Sequence, residues 1–317
     1  MKVSILSACL ILSLVPRASA DVLRKQTVPE KARWVAHLDM ESLARSQLLQ
    51  GLKEHGLQKE MEAAFADEKL AGVDPLQDVR SVTIFNSTDD EDRTVILVRA
   101  SDKADALLAR HQKEEGYRTI DIGGRKLHAW GDSGGSEHGV AYVARIEGSA
   151  DRLVVFGEDT ESVSHAIDVV EGKQKSLADS DALAFRRGPG DGAILYAAAV
   201  EPIAALGENP ATSTVARLAQ AWRLEIGEHR GALYGDLWLK TESNEDAAKL
   251  QQVLQGATAL IGLMAPEVGP RVSSFLAGLS FQASGSDVTA TFRCAIADLL
   301  DLIRGFEELE RNEHEAK

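Results

Sequence analysis

The stretch Trp34–Ala44, WVAHLDMESLA, is the sequence element around which the chain is organised. It reads as a short apolar strand that runs directly into a helix. A similar stretch recurs downstream at Ile194–Ala204, ILYAAAVEPIA. In both copies an apolar run ends in a large apolar residue, which is followed by Glu and then by a residue suited to a helix start. The repetition predicts a chain built from two related halves.

Elements of the same type follow each copy in the same order: strand, helix, hairpin, helix, hairpin, helix. This order is typical of α+β proteins, and it predicts two pseudo-repeated halves of antiparallel sheet packed with helices in a ferredoxin-like layout. The predicted boundaries are a first repeat at 34–172, a connection at 173–192, a second repeat at 193–310 and a charged tail at 311–317. The sequence leaves open whether the two halves form one sheet or two domains.

One segment of the first half carries a resemblance. Gly72–Val79, GVDPLQDV, leads into the strand residues Ser81-Val82-Thr83. Together with the order of elements, this segment resembles a loose group of exported bacterial proteins without a characterised activity. The resemblance covers most of the chain in layout. It implies an α+β fold and export, and it implies no activity, cofactor or catalytic residue.

Composition sets limits on function. The 317 residues are 44% hydrophobic, which is enough for a substantial core, and the formal net charge is −14. A chain this acidic, without a basic stripe, is repelled by phosphate backbones, so nucleic-acid binding is disfavoured. Only two cysteines are present, and Cys9 lies in the leader described next. Cys294 would then be alone, which excludes an internal disulfide and a thiolate metal site.

The N-terminal segment at 1–20 has the features of a bacterial signal peptide. A positive residue near the start is followed by the apolar run Val3–Val15 and by the small residues Ala18–Ala20. This pattern predicts cleavage near Ala20-Asp21, a lead-in at 21–33, and export to the periplasm or the medium. No later segment reaches 18 consecutive apolar residues, so we expect no integral membrane segment after cleavage.

Gly131–Gly135, GDSGG, is similar to the nucleophile motif of chymotrypsin-like serine proteases. That resemblance implies Ser133 as the nucleophile, beside backbone N–H groups that form an oxyanion hole, and His37 as the candidate base. The chain departs from the family in three ways. The family is a pair of β-barrels, Ser136 stands where the family usually has Pro, and no segment matches the aspartate segment. The competing interpretation is a polar hairpin loop, in which Gly, Asp and Ser are expected.

His128 and His138 flank the same loop, and Asp132 lies between them. If the two strands pair, two imidazoles and a carboxylate could hold zinc at the mouth of the hairpin. The spacing matches no recognised metal motif, and two ordinary polar residues beside a turn explain the pattern equally well.

The leading hypothesis from the sequence is a non-enzymatic exported protein that acts as a binding or scaffold module in the bacterial envelope. Its expected partner is an envelope protein or a small ligand, and no cofactor is expected. Two alternatives stay open: an exported serine hydrolase that uses Ser133, and a metal-binding module at His128 and His138.

Overall fold

A computed structural model describes residues 22–54, 73–90, 93–131, 137–201, 214–215, 217–268 and 275–304, with only the backbone described at 137–138 and 264–268. The predicted signal peptide at 1–20 and the predicted tail at 311–317 lie outside the described residues. The strands are β1 (Trp34–Asp39), β2 (Val79–Asn86), β3 (Val95–Ala100), β4 (Arg118–Ile122), β5 (Arg125–Gly131), β6 (Glu137–Arg145), β7 (Arg152–Gly157), β8 (Ala193–Ala199), β9 (Ala221–His229), β10 (Ala232–Lys240), β11 (Leu279–Ser284) and β12 (Asp287–Ala295). The helices used below are α1 (Met40–Arg45), α2 (Gln47–Glu54), α3 (Pro75–Asp78), α4 (Ala104–His111), α5 (Thr160–Val170), α6 (Leu183–Arg186), α7 (Asn244–Val268) and α8 (296–304).

The described strands form one twelve-stranded sheet in the order β11-β12-β10-β9-β8-β1-β2-β3-β7-β6-β5-β4. Every neighbouring pair is antiparallel. β1 lies between β2 and β8, so Val35 is opposite Phe85 on one side and Ala198 on the other. β1, the first of the described strands, therefore joins the strands of the two predicted repeats into a single sheet.

The α+β class, with a large antiparallel sheet and helices, is confirmed, whereas the ferredoxin-like duplication is not. The ferredoxin-like layout requires strand–helix–strand crossovers between parallel strands. Here the chain that leaves β1 returns as β2, its direct antiparallel neighbour, so this connection is not such a crossover. The two sides are also unequal, because β4 and β5 form an additional hairpin at one edge.

Local capping explains how strand passes into helix. The carboxylate of Asp39, the last residue of β1, accepts a hydrogen bond of 2.8 Å from the Ser42 backbone N–H. It also accepts one of 2.7 Å from the Ser42 hydroxyl. Asp159 caps α5 in the same manner, with its carboxylate 2.8 Å from the Ser162 nitrogen. These bonds satisfy N–H groups that a helix start would otherwise leave without partners.

The main core lies on one side of the sheet, which we call face A, and the opposite side is face B. Val35, Phe85, Val155 and Tyr196 point into face A, where α5 covers the part of the sheet formed by β3, β7 and β6. The helical residues Val163, Ala166 and Ile167 make that cover. A second core lies on face B under α7 and contains Val215, Ala219, Leu239, Ala247, Leu250 and Val288. The period-two alternation along each strand separates the two cores.

The segment at 22–33 is packed across face A. Leu23 and Val28 are buried in the main core. The Lys25 ammonium donates hydrogen bonds of 2.5 and 3.0 Å to the carbonyl oxygens of Phe185 and Arg186 in α6. The segment that follows the predicted cleavage site therefore forms part of the folded molecule. Among the helices that the structure describes, none has the length and hydropathy required to span a membrane.

Candidate functional site

A cavity of about 510 Å³ opens on face A beside the C-terminal end of α5. Its floor is a row of residues that lie opposite one another on five neighbouring strands. The row runs His37, Thr83, Leu97, Val155 and Tyr142, on β1, β2, β3, β7 and β6. The antiparallel register therefore brings five residues from distant parts of the chain into one line.

A second row lies one pleat further along the same strands. Ser81, Arg99, Leu153 and Ala144 occupy it on β2, β3, β7 and β6, and all four line the cavity. Both rows change from polar to mainly apolar side chains in the direction from β2 to β6. The β1–β2 end is polar and the β7–β6 end is mainly apolar, so the floor can contact a hydrogen-bonding group at one end and an apolar group at the other.

His37 and Thr83 form the polar end of the floor. The His37 side chain is 4% exposed. Its Nδ1 lies 2.8 Å from the Thr83 hydroxyl oxygen, which fixes the orientation of the imidazole. Ser81 precedes Thr83 by two residues on the same face of β2, and it is as buried as Thr83. Buried polar groups of this kind offer directional recognition to a ligand that enters the cavity.

Three ion pairs, two of Arg125 and one of Arg99, hold the surroundings of the cavity. At the C-terminal end of α5, the Arg125 guanidinium donates to the Asp168 carboxylate at 2.7 Å and contacts Glu171. The hydrogen bond from Arg125 is the main reason that the pKa of Glu171 lies below its usual value. On the floor, Arg99 donates to the Asp151 carboxylate at 3.1 Å. These pairs fix the rim, so the cavity is preformed by the fold.

The remaining wall comes from the N-terminal segment. Val22, Arg24 and Thr27 all line the cavity, although the sequence assigned them only to a lead-in. Ile167 and Val170 of α5 complete the apolar side. The cavity thus uses the sheet, one helix and the segment that follows the predicted signal peptide.

In the sheet, other strands lie between β1, which carries His37, and the strands that flank the GDSGG segment. Asp132 and Ser133 lie outside the described residues, but the adjoining Gly131 and Glu137 are on β5 and β6. Four strands separate β1 from β5 in the sheet. At about 4.8 Å per strand, that order places the two strands roughly 24 Å apart. The pairing of Ser133 with His37 stays a prediction that the strand order does not favour.

His128 is buried on face B of β5, and its Nδ1 lies 2.8 Å from the Tyr117 hydroxyl. Burial is the main cause that lowers the pKa of His128, and the charge of Lys126 adds to it. His138 lies on β6, and its side chain is outside what the structure describes. Within the described part of the chain, no group of His, Cys, Asp or Glu side chains is arranged to hold a metal. The metal site predicted at His128, His138 and Asp132 stays a prediction.

Cys294 lies half-buried on β12. Burial raises the pKa of its thiol, which keeps the thiol protonated and weakly nucleophilic at neutral pH. Among the candidate site residues whose side chains the structure describes, His37 lines the cavity on face A and His128 does not. The alternation within each strand could have identified Leu97 or Tyr142 as face residues. It could not have shown that β3, β7 and β6 are neighbours, because that order depends on pairings between distant segments.

Comparisons with known proteins add little about function. No family model matches the sequence, and no curated protein matches it. Crystal form III of TP0453 aligns over 90% of this chain and 99% of its own chain, with 10% sequence identity and a TM-score of 0.45. Crystal form I of TP0453 aligns over 90% and 97%, with 8% identity and a TM-score of 0.41. Similarity at this level carries no information on activity, so function has to be inferred from the cavity itself.

Proposed function

We propose that this protein is an exported, non-enzymatic binding protein of the bacterial envelope, and that the cavity on face A binds a small ligand. The observation that supports the proposal is the cavity of about 510 Å³ floored by two rows of side chains. Its volume lies within the range of about 300–1,000 Å³ that is usual for small-molecule sites. Its walls include three separate segments that the fold holds in place.

The lining indicates the chemistry of the ligand. His37, Thr83 and Ser81 offer imidazole and hydroxyl groups at one end. Leu153 and Val155 offer aliphatic surface at the other. A small molecule with hydrogen-bonding groups on one side and an apolar part on the other would satisfy both ends without leaving buried polar groups unpaired.

Export and internal duplication are further parts of this proposal. The features of residues 1–20 support export with cleavage near Ala20-Asp21. The strand order supports duplication, because β1-β2-β3-β7-β6 and β8-β9-β10-β12-β11 follow the same path outward from the junction. Under this proposal β4 and β5 are an addition to the first half.

The test uses two substitutions on one strand. Ala144 points into the cavity on face A, whereas Ala141 of the same strand lines a cleft on face B. A library of small amphipathic molecules is screened against the purified protein for an increase in Tm. A ligand at 100 times its Kd should stabilise the wild type by about 2.7 kcal/mol.

We expect Ala144→Phe to abolish this stabilisation by filling the cavity, and Ala141→Phe to retain it. A ligand that stabilises Ala144→Phe as strongly as the wild type would contradict the assigned site.

A fluorophosphonate probe tests the alternative that the protein is a serine hydrolase. Labelling of the wild type that disappears in Ser133→Ala would favour an enzyme over a binding protein.

A further inference from the structure

Helix α4 is attached to the sheet at both of its ends. Near its N-terminus, the Arg152 guanidinium donates to the Asp105 carboxylate at 2.7 and 2.9 Å. At its C-terminus, the Trp130 indole N–H donates to the His111 carbonyl oxygen at 3.1 Å. The His111 imidazole also meets the Trp130 ring edge-on, with 5.7 Å between ring centroids. These two attachments fix the height of the helix above face B.

Between the attachments, the helix and the sheet enclose an apolar cleft of about 310 Å³. Its roof is formed by Leu107 and Leu108, which are half-buried. Apolar side chains of β6 and β7 make its floor: Ala141, Val143, Val154 and Phe156. A helix that is anchored at its ends and raised over an apolar floor leaves room for an apolar occupant.

The charges around the cleft indicate a neutral occupant. No Lys or Arg is among the described residues that line it. The polar groups lie at one end, where His111 Nδ1 is 2.8 Å from the Glu114 carboxylate and the Trp130 N–H is already engaged. An anionic ligand would meet Glu114 without a compensating cation. Burying an unpaired charge costs far more than the apolar contacts return.

The volume sets the size of the ligand. A cavity of about 150 Å³ lined by apolar side chains accommodates one benzene. The cleft under α4, at about 310 Å³, has roughly twice that space. We propose that this cleft is a second binding site, for a small neutral hydrophobic molecule with about the bulk of two fused or linked aromatic rings. It is separate from the cavity on face A, since the two lie on opposite sides of β6 and β7.

The test compares two probes that share a skeleton. N,N-dimethyl-1-naphthylamine is neutral at pH 7, and 5-dimethylaminonaphthalene-1-sulfonate carries a sulfonate on the same two-ring framework. Each probe is titrated into the purified protein, and its fluorescence is followed to saturation. We expect one-to-one binding of the neutral probe, with an affinity at least about tenfold higher than that of the sulfonate, or about 1.4 kcal/mol.

Three variants locate the bound probe. Ala141→Phe fills the cleft from the floor, and Leu108→Trp fills it from the half-exposed roof, where the larger side chain does not disturb the sheet. Both should weaken binding of the neutral probe by about tenfold or more. Ala144→Phe, on the other face of β6, should change that binding by less than about twofold. Circular dichroism confirms that each variant is folded.

The proposal is overturned if the folded wild type shows no saturable binding of the neutral probe. It is also overturned if the sulfonate binds as tightly, or if Leu108→Trp binds the neutral probe like the wild type. A negative result for this cleft does not bear on the proposal that the face A cavity binds a ligand, because that proposal is tested with Ala144→Phe and with different ligands.

Discussion

At the scale of single residues, the burial of His128 makes stability depend on pH. Its folded pKa lies below the unfolded value of about 6.5 because burial disfavours the imidazolium. The stability that neutral His128 contributes is present above about pH 6.5 and is lost as the pH falls through the folded pKa. We expect the free energy of unfolding to decrease from pH 7 to pH 5, and to decrease less in His128→Phe. Urea unfolding at several pH values measures both.

Two features separate His128 from other titrating groups. Asp105 and Glu171 have lowered pKa values, so the stability they contribute is lost in a more acidic range and in both proteins. Tyr117→Phe removes the hydrogen bond to His128 but leaves the imidazole buried, so it should keep the pH dependence of the wild type. Parallel pH profiles for the wild type and His128→Phe would show that His128 does not titrate in this range.

At the scale of elements, α7 combines a buried half with an exposed half. Leu250 is 0% exposed and packs in the core on face B, whereas Leu263 is 79% exposed on the same helix. Leu250→Ala should lower the free energy of unfolding by about 2–5 kcal/mol, because it leaves a cavity. Leu263→Ala should change it by no more than about 0.5 kcal/mol. Urea unfolding at neutral pH compares the two variants.

The pair of substitutions is its own control, since both replace Leu by Ala and alter helix propensity equally. A large loss of stability in Leu263→Ala would mean that the outer half of α7 is buried in solution. Equal, small effects would mean instead that the core under α7 is loosely packed.

The elements were largely predictable from the sequence, and their arrangement was not. The strand-to-helix stretch Trp34–Ala44 predicted β1 followed by α1, and the strand expected after Gly72–Val79 is β2. These features are local, so periodicity and turn residues are sufficient. The pairing of β3 with β7 joins Leu97 to Val155 across a long stretch of chain. No local pattern encodes that choice, and the floor of the cavity depends on it.

At the scale of the whole molecule, the shared sheet and core predict a single unfolding unit. Val35 and Phe85 of the first half pack in the same core as Tyr196 and Ala198 of the second half, and Phe185 of the connection joins them. Separating the halves would expose this core and would break the backbone pairing of β1 with β8. Both losses oppose an intermediate in which one half remains folded alone.

The tryptophans allow a direct measurement of this coupling. Trp34 and Trp130 lie in the first half, and Trp222 and Trp238 lie in the second. Variants that retain only Trp130 or only Trp238 report on the two halves separately. For each variant, we expect the urea midpoint measured by tryptophan fluorescence to equal the midpoint measured by circular dichroism on the same variant.

Tyr196→Ala, placed at the junction, should lower both midpoints together by removing a buried aromatic ring, at a cost of about 3–5 kcal/mol. If the junction variant shifts the Trp238 midpoint and leaves the Trp130 midpoint in place, the halves unfold independently, and the continuous sheet does not couple them.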